Sequence, residues 1–119
     1  MRFSGVMMGT HDSKRLGEFY TSILGKPSFQ MDTWYGWVDG AQLVIGAHSD
    51  VSGASQQPQR IMLMLEVDDV AAEYDRITGL GASAVAKPYQ PEDADGGWLA
   101  TLEDPDGNYV QLHTPMGDM

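Results

Sequence analysis

Residues Leu99–Leu112 read LATLEDPDGNYVQL and consist of two apolar segments separated by a turn. In Asp104-Pro105-Asp106-Gly107, proline favours the start of a turn and glycine accepts the positive φ near its end. Short apolar segments on either side of such a turn are typical of paired β-strands. The stretch therefore predicts a β-hairpin whose strands are Trp98–Glu103 and Tyr109–His113.

A strand, a helix and a further strand are predicted before this hairpin. Ile61–Val67 (IMLMLEV) is a continuous apolar run typical of a buried strand, and Asp68-Asp69 after it is an N-cap signal. Leu80-Gly81 ends the predicted helix, and Ala84–Lys87 is the strand that follows, up to Pro88. One face of the helix is formed by Val70, Tyr74 and Ile77.

The first half of the chain follows the same order. Met1–Thr10 is apolar-rich and is predicted to be a buried strand, and Ser13–Leu24 has apolar residues at helical spacing. Turn signals at Asp32-Thr33 and Asp39-Gly40 then separate three short strands. These strands are Pro27–Met31, Trp34–Val38 and Gln42–Ala47.

The two halves form an internal repeat. Thr10 corresponds to Val67, and Leu24-Gly25 to Leu80-Gly81, at offsets that differ by one residue. The polar stretch between the halves, Ser49–Gln59, is predicted to be a linker. We therefore predict one α+β domain of two βαβββ modules, with module one at about 1–48, the linker at about 49–59 and module two at about 60–115. Each half alone can bury only one face of its sheet, so two curled mixed sheets together can enclose a cup.

The composition excludes several classes of function. Seventeen acidic residues against seven basic ones give a formal net charge of −10, which repels nucleic acid. The chain has no cysteine, and therefore no disulfide and no thiolate-held zinc. The sequence has no apolar run long enough to span a membrane and no signal-peptide pattern at its start. We expect a cytoplasmic protein with neither nucleic-acid nor membrane partners.

Three stretches match the pattern of a known superfamily. They are Asp12–Gly25 (DSKRLGEFYTSILG), Ile61–Gly81 (IMLMLEVDDVAAEYDRITGLG) and Leu99–Leu112, in which the Glu-Asp-Pro-Asp-Gly-Asn turn is the most specific element. With them the sequence resembles the vicinal oxygen chelate superfamily, which includes glyoxalase I, extradiol dioxygenases and bleomycin-resistance proteins. The resemblance implies paired βαβββ modules and a homodimer with cups formed by the modules.

Metal-binding members of this superfamily take one ligand from the first strand and one from the last strand of each module. The ligands are typically His or Gln in first strands and Glu in last strands. Carried over position by position, the first-strand sites fall at Gly5 and Met62, and the last-strand sites fall within Leu43–Gly46 and at Gln111. Stable zinc, nickel or iron sites need three or more imidazole or carboxylate donors. The prediction is therefore a domain with no metal and no other cofactor.

The three histidines do not restore a metal site. His11 lies at a strand end and His48 at the edge of the polar loop, whereas His113 lies two residues beyond Gln111 and shares its face of the strand. A composite site from these three is disfavoured. Glyoxalase-type isomerisation and ring-cleaving dioxygenation both depend on the metal in this superfamily, so both are disfavoured with it.

Without a metal, the cup is predicted to be an apolar and aromatic concavity. Tryptophan and tyrosine offer flat faces for stacking, and methionine adapts its shape to a ligand. Trp34 and Trp37 are three residues apart and cannot share one face of a strand, whereas Trp98 follows Asp95-Gly96-Gly97 and is predicted to lie at a mobile rim. The predicted ligand-binding residues are Met7, Trp34, Trp37, Met62, Met64, Tyr89, Trp98, Tyr109, Gln111 and His113.

The leading hypothesis is a metal-free small-molecule binding protein of the bleomycin-resistance type. Its partner would be a hydrophobic, aromatic or otherwise bulky natural product, such as an antibiotic. The alternative is an enzyme of the same fold, a lyase, an isomerase or a dioxygenase-like protein, that uses Glu66, His113 or a non-standard metal site. Glu66 shares the parity of Met62 and Met64, and it faces either the cup, as a general base, or the solvent. A third alternative is a module that acts through partner proteins.

Overall fold

The computed structural model describes residues 1–92 and 96–115. The chain divides into two units, Met1–Ala54 and Ser55–Met119. In each unit a strand, a helix and three further strands follow one another, which confirms the predicted α+β fold of two βαβββ modules. Neither helix in this part of the chain is long and apolar enough to cross a membrane.

The first unit is a four-stranded mixed sheet, here called the module-one sheet, with one helix. Its strands run in the order β1-β4-β3-β2, with β1 parallel to β4 and the other neighbours antiparallel. Strand β1 begins at Gly5 rather than at Met1, because Gly5 is the first residue in register with β4. The elements are β1 (Gly5–Thr10), α1 (Ser13–Leu24), β2 (Phe29–Met31), β3 (Trp34–Asp39) and β4 (Ala41–Ala47).

Helix α1 has the bounds that the sequence predicts, and both of its ends are capped. The Asp12 carboxylate accepts a hydrogen bond of 3.1 Å from the Arg15 N–H, which satisfies one of the amides that lack a helical partner in the first turn. At the other end Gly25 has a φ of 92°, and its N–H donates to the Thr21 carbonyl at 2.9 Å. Glycine adopts this φ without steric cost, so the chain leaves the helix at Gly25.

The core of the first unit lies between α1 and the module-one sheet. Leu16 and Tyr20 on α1 are fully buried, and so is Ile45 on β4. A Cβ atom at Gly17 would lie 2.6 Å from the Tyr35 ring, so the missing side chain lets the helix approach β3 closely. Burial of each large apolar side chain contributes about 1.5–3 kcal/mol. This packing decides which face of the sheet is covered.

The second unit repeats the arrangement in what we call the module-two sheet. Its strands run in the order β5-β8-β7-β6, with β5 parallel to β8 and the other neighbours antiparallel. The helix-side face is buried by Leu102, Val110 and Leu112, with Val70 and Ile77 on the helix. The elements are β5 (Leu63–Glu66), α2 (Val70–Gly79), β6 (Ser83–Tyr89), β7 (Leu99–Glu103) and β8 (Tyr109–His113).

Three strands of the second unit differ from their predicted bounds, β7 only in that it begins at Leu99 rather than at Trp98. Strand β5 is shorter than Ile61–Val67, because its register with β8 begins only at Leu63. Strand β6 is longer than predicted and runs through Pro88, although proline cannot donate a ladder hydrogen bond. Pro88 is tolerated because β6 is an edge strand and its register with β7 is irregular beyond Ala86.

The predicted turn of the last hairpin is organised by Asp104, which is 5% exposed. Its carboxylate accepts hydrogen bonds of 2.9 Å from the Asp106 N–H, the Asn108 N–H and the Asn108 side-chain amide. Gly107 has a φ of 80°, and its N–H donates to the Asp104 carbonyl at 3.0 Å. The carboxylate thus satisfies turn amides that no strand partner could reach.

Replacing Asp104 with alanine is expected to lower the free energy of unfolding by about 2–4 kcal/mol, because buried amide groups lose a charged acceptor. Urea denaturation followed by circular dichroism measures the change. Asp75→Ala on the exposed surface of α2 is the matched control and should change the free energy of unfolding by less than about 0.5 kcal/mol. Equal effects of the two substitutions would contradict the structural role of the Asp104 carboxylate.

Candidate functional site

In this chain, the residues at the positions of the metal ligands in the vicinal oxygen chelate superfamily do not form a metal site. Gly5 has no side chain, and a Cβ atom built there would collide with the Gln42 carbonyl oxygen of β4. The first-strand position in module two is Met62, and Leu43 and Ile45 on β4 are core residues. Within residues 1–92 and 96–115, no three histidine or carboxylate side chains are grouped so that they could hold a metal ion.

The face of the module-one sheet that α1 does not cover, here called the open face of module one, is apolar. The strand register places Met7, Val44, Gly36 and Phe29 side by side in one row across the four strands. Side chains alternate between the two faces of a sheet, so this row lies opposite the helix. The next row on the same face consists of Gly9, Gly46, Trp34 and Met31.

Two aromatic rings on this face lie over glycines. A Cβ atom at Gly36 would collide with the ring of Phe29, and one at Gly46 would collide with the indole of Trp34. Each ring therefore occupies the space that a side chain on the neighbouring strand would fill. Trp34 remains 40% exposed and Phe29 38% exposed, so both rings are supported from below and accessible from above.

The segment after β4 lies against one end of the open face of module one. A Cβ atom at Gly9 would lie 3.1 Å from the Cβ of His48 and 3.3 Å from a methyl group of Val51. The His48 Nδ1 accepts a hydrogen bond of 3.2 Å from the Asp50 N–H, which leaves the proton of the neutral ring on Nε2. His48 and Val51 therefore border the row that contains Trp34.

Trp37 does not lie with the other predicted ligand-binding residues. It is 8% exposed, and its indole N–H donates to the Gly25 carbonyl at 2.9 Å. Its ring stacks on Tyr35, with centroids 6.3 Å apart and an angle of 11° between the planes. Its parity on β3 places it on the helix side, where it also contacts Tyr20. Trp37 is therefore a core residue, and of the two tryptophans it is Trp34 that lies on the open face.

The face of the module-two sheet opposite α2, here called the open face of module two, is more polar. One row across the strands consists of Met64, Gln111, Thr101 and Ala86, and the next of Glu66, His113, Leu99 and Tyr89. Tyr109 lies on the same face, opposite Glu103. Met62 precedes β5 and has the parity of Met64. The strand register therefore brings together Met64, Tyr89, Tyr109, Gln111 and His113.

Trp98 lies directly before β7 and is hydrogen-bonded to Thr114, directly after β8. Its carbonyl accepts from the Thr114 N–H at 3.2 Å, and its N–H donates to the Thr114 hydroxyl at 3.1 Å. The backbone bond continues the register of β7 with β8, so Trp98 falls on the face opposite Leu99 and His113. It is 41% exposed. Asp95, part of the glycine-rich approach on which the prediction of a mobile rim was based, lies outside the described residues.

His113 is held in one orientation on the open face of module two. Its side chain is 9% exposed, and its Nδ1 lies 2.9 Å from the Thr114 carbonyl oxygen. A carbonyl oxygen only accepts hydrogen bonds, so Nδ1 carries a proton and Nε2 of the neutral ring is an acceptor. Glu66 is its register partner on β5 and is exposed.

Comparison with known proteins fits this geometry. The family model of the glyoxalase-like domain matches residues 5–113. The chain belongs to this family. The match covers both modules and confirms the resemblance to the vicinal oxygen chelate superfamily. No curated protein sequence matches the chain.

Solved structures of similar fold include proteins with different described roles. A glyoxalase-related enzyme from Fulvimarina pelagi is 18% identical with a TM-score of 0.78, over 97% of this chain and 88% of that one. A glyoxalase/bleomycin resistance protein/dioxygenase family enzyme from Burkholderia phytofirmans PsJN is 21% identical, with a TM-score of 0.77 over 96% and 98%. The fosfomycin resistance protein FosX from Mesorhizobium loti is 16% identical, with a TM-score of 0.69 over 96% and 92%. At these identities the likeness shows the fold alone.

Sequence reasoning missed several residues of the two open faces of this glyoxalase-like chain. The sequence predicts that Phe29 and Met31 lie on a strand but not on which face, and it predicts only that Leu99 and Thr101 belong to a hairpin. The available signal was glycine inside predicted strands, at Gly36 and Gly46, which often marks a close approach of another group. The partner of each glycine depends on strand register, which the sequence does not give.

Replacing Gly46 with alanine is expected to displace the Trp34 indole, because the new methyl group occupies its space. Overpacking costs about 1–3 kcal/mol, and the exposed ring can move, so we expect a loss of about 1 kcal/mol. Acrylamide quenching of tryptophan fluorescence should increase together with this loss. Gly79→Ala is the matched control, since a Cβ atom there meets nothing within 4 Å and alanine favours a helix. A loss of stability or increased quenching in the control, or neither in Gly46→Ala, would contradict the contact.

Proposed function

We propose that this glyoxalase-like domain is a metal-independent binding protein that sequesters a planar aromatic or otherwise bulky natural product, in the manner of a bleomycin-resistance protein. The ligand would stack on the open face of module one. Binding alone suffices for such a role, since mass action lowers the free concentration of the bound compound. A homodimer and a cytoplasmic location are further parts of this proposal.

The observation that carries the proposal is the pair of rings supported by glycines, Trp34 over Gly46 and Phe29 over Gly36. A ring that rests on backbone loses little conformational freedom when a ligand stacks on it, which favours affinity. Met7 lies in the row of Phe29 and is 46% exposed, and a methionine side chain can adapt to different ring systems. Contiguous exposed apolar surface of this kind marks an interaction site more often than a random surface.

The residues at the superfamily's ligand positions support binding rather than metal-dependent chemistry. Gly5, Met62 and the core strand β4 provide neither imidazole nor carboxylate, and Gly5 has no room for a side chain. Gln111 alone could donate an oxygen, and one amide does not retain a transition metal. The fold itself is compatible with resistance, since its solved relatives include a fosfomycin resistance protein.

Stacking alone sets a limit on the affinity. A ligand that removes roughly 200 Å² of apolar surface from water gains about 5 kcal/mol. Association costs at least about 4 kcal/mol in lost translational and rotational freedom. The remainder corresponds to weak binding, so a sequestering protein also needs polar contacts that orient the ligand.

Trp34→Ala is expected to weaken binding of an aromatic antibiotic or a flavin about tenfold or more, because the stacking surface is lost. Isothermal titration calorimetry against a panel of such compounds measures the affinity without relying on tryptophan emission. Trp98→Ala is the matched control, because Trp98 is equally exposed but lies on the opposite face of its sheet. No binding by any compound of the panel, or equal losses in both variants, would contradict the proposal.

Elemental analysis separates this proposal from the alternative of an enzyme with a non-standard metal site. Purified protein is expected to contain no stoichiometric transition metal, and dialysis against a chelator should leave its melting temperature and ligand affinity unchanged. The reason is that a ligand set of one amide gives no retention during purification. One metal ion per chain that survives dialysis would favour the enzyme instead.

A further inference from the structure

Several polar side chains on the open face of module two have hydrogen-bonding groups without a partner among the described residues. His113 and Thr101 are 9% and 7% exposed. The His113 ring makes one hydrogen bond, through Nδ1, and neither its Nε2 nor the Thr101 hydroxyl bonds to a described residue. In the same part of the chain no fully buried side-chain nitrogen or oxygen lacks a partner. The Nε2 and the hydroxyl therefore remain open to solvent, although the rest of each side chain is enclosed.

Two further polar groups border these atoms. Glu66 and Gln111 are the register neighbours of His113 and Thr101, and neither side chain forms a hydrogen bond or an ion pair with a described residue. Adjacent strands lie about 4.8 Å apart, so Glu66 and His113 are neighbours across β5 and β8, and no hydrogen bond or ion pair joins their side chains. Both of them are hydrogen-bond acceptors when His113 is neutral.

We propose that the open face of module two binds a protonated organic amine or amidine attached to an aromatic ring. One N–H of the cation donates to the His113 Nε2, and the positive charge lies beside the Glu66 carboxylate. The side-chain carbonyl of Gln111 offers a further acceptor. Leu99 and Tyr89, in the row of His113, provide an apolar surface and a ring face for the rest of the ligand.

The charge of the protein agrees with this ligand class. The formal net charge is −10, which attracts organic cations and repels carboxylates and phosphates. An acceptor of fixed orientation disfavours ligands that lack a donor, because such a ligand displaces water from the Nε2 without replacing its hydrogen bond. The aromatic stacking proposed for module one involves a different sheet, so the two proposals can fail independently.

Nitrogen-15 NMR of the full chain tests this inference, with benzylamine as the probe and benzyl alcohol and benzoate as its neutral and anionic analogues. Benzylamine is expected to shift the amide resonances of β7 and β8 and the Nε2 resonance of His113. Benzyl alcohol should bind more weakly, and benzoate should cause no shift. His113→Phe keeps the size of the ring without the acceptor and should weaken benzylamine binding about tenfold or more.

Further variants separate recognition from folding. His113→Gln places an amide near the position of Nε2 and should restore part of the affinity, whereas Glu66→Gln should weaken it by removing the charge. Asp75→Asn, an exposed acid on α2, is the charge control and should bind as the parent does. Absence of benzylamine binding, equal binding of benzoate, or unchanged affinity in Glu66→Gln would overturn the proposal. If His113→Phe does not fold, Glu66→Gln and the anionic probe still decide.

Discussion

The close approach of Gly17 on α1 to the ring of Tyr35 on β3 determines which face of the module-one sheet is buried. Because the helix backbone approaches the strand so closely, Tyr35 and Trp37 become core residues on one face. Side-chain alternation then assigns Trp34 and Gly36 to the other face without any further interaction. The same separation in module two buries Val110 and Leu112 under α2 and leaves Gln111 and His113 on the opposite face. Each module therefore packs one face of its sheet in a core and leaves the other face uncovered by its helix.

The two open faces differ in chemistry although the modules repeat one another. In module one, glycines on β3 and β4 leave room for the rings of Trp34 and Phe29, and the result is an apolar surface. In module two, the corresponding strands carry Gln111, His113 and Thr101, and hydrogen-bonding groups replace the rings. A repeated fold can thus diverge on its uncovered faces while its cores stay alike, since only the covered faces are constrained by packing.

Most of the fold was predictable from the sequence because its signals are local. Helical periodicity and capping residues gave the bounds of α1, and the turn at Asp104-Pro105-Asp106-Gly107 gave the last hairpin. Strand parity also separated Trp34 from Trp37 but could not tell which of them is buried, since that depends on where the helix packs. The position of the Phe29 ring over Gly36 depends on the register of β2 with β3. The unbonded Nε2 of His113 depends on the Thr114 carbonyl, which accepts from Nδ1. Both features arise from tertiary contacts, which the periodicity of the sequence does not indicate.

Methyl NMR of the methionines tests whether ligands bind to the sheet faces that the helices leave uncovered. Met7 and Met8 are neighbours on β1 with side chains on opposite faces of the module-one sheet. A bound aromatic ligand is expected to give nuclear Overhauser contacts to the Met7 methyl group and none to that of Met8. Contacts to Met8, or to the core around Leu16, would show that the ligand does not bind to the uncovered face.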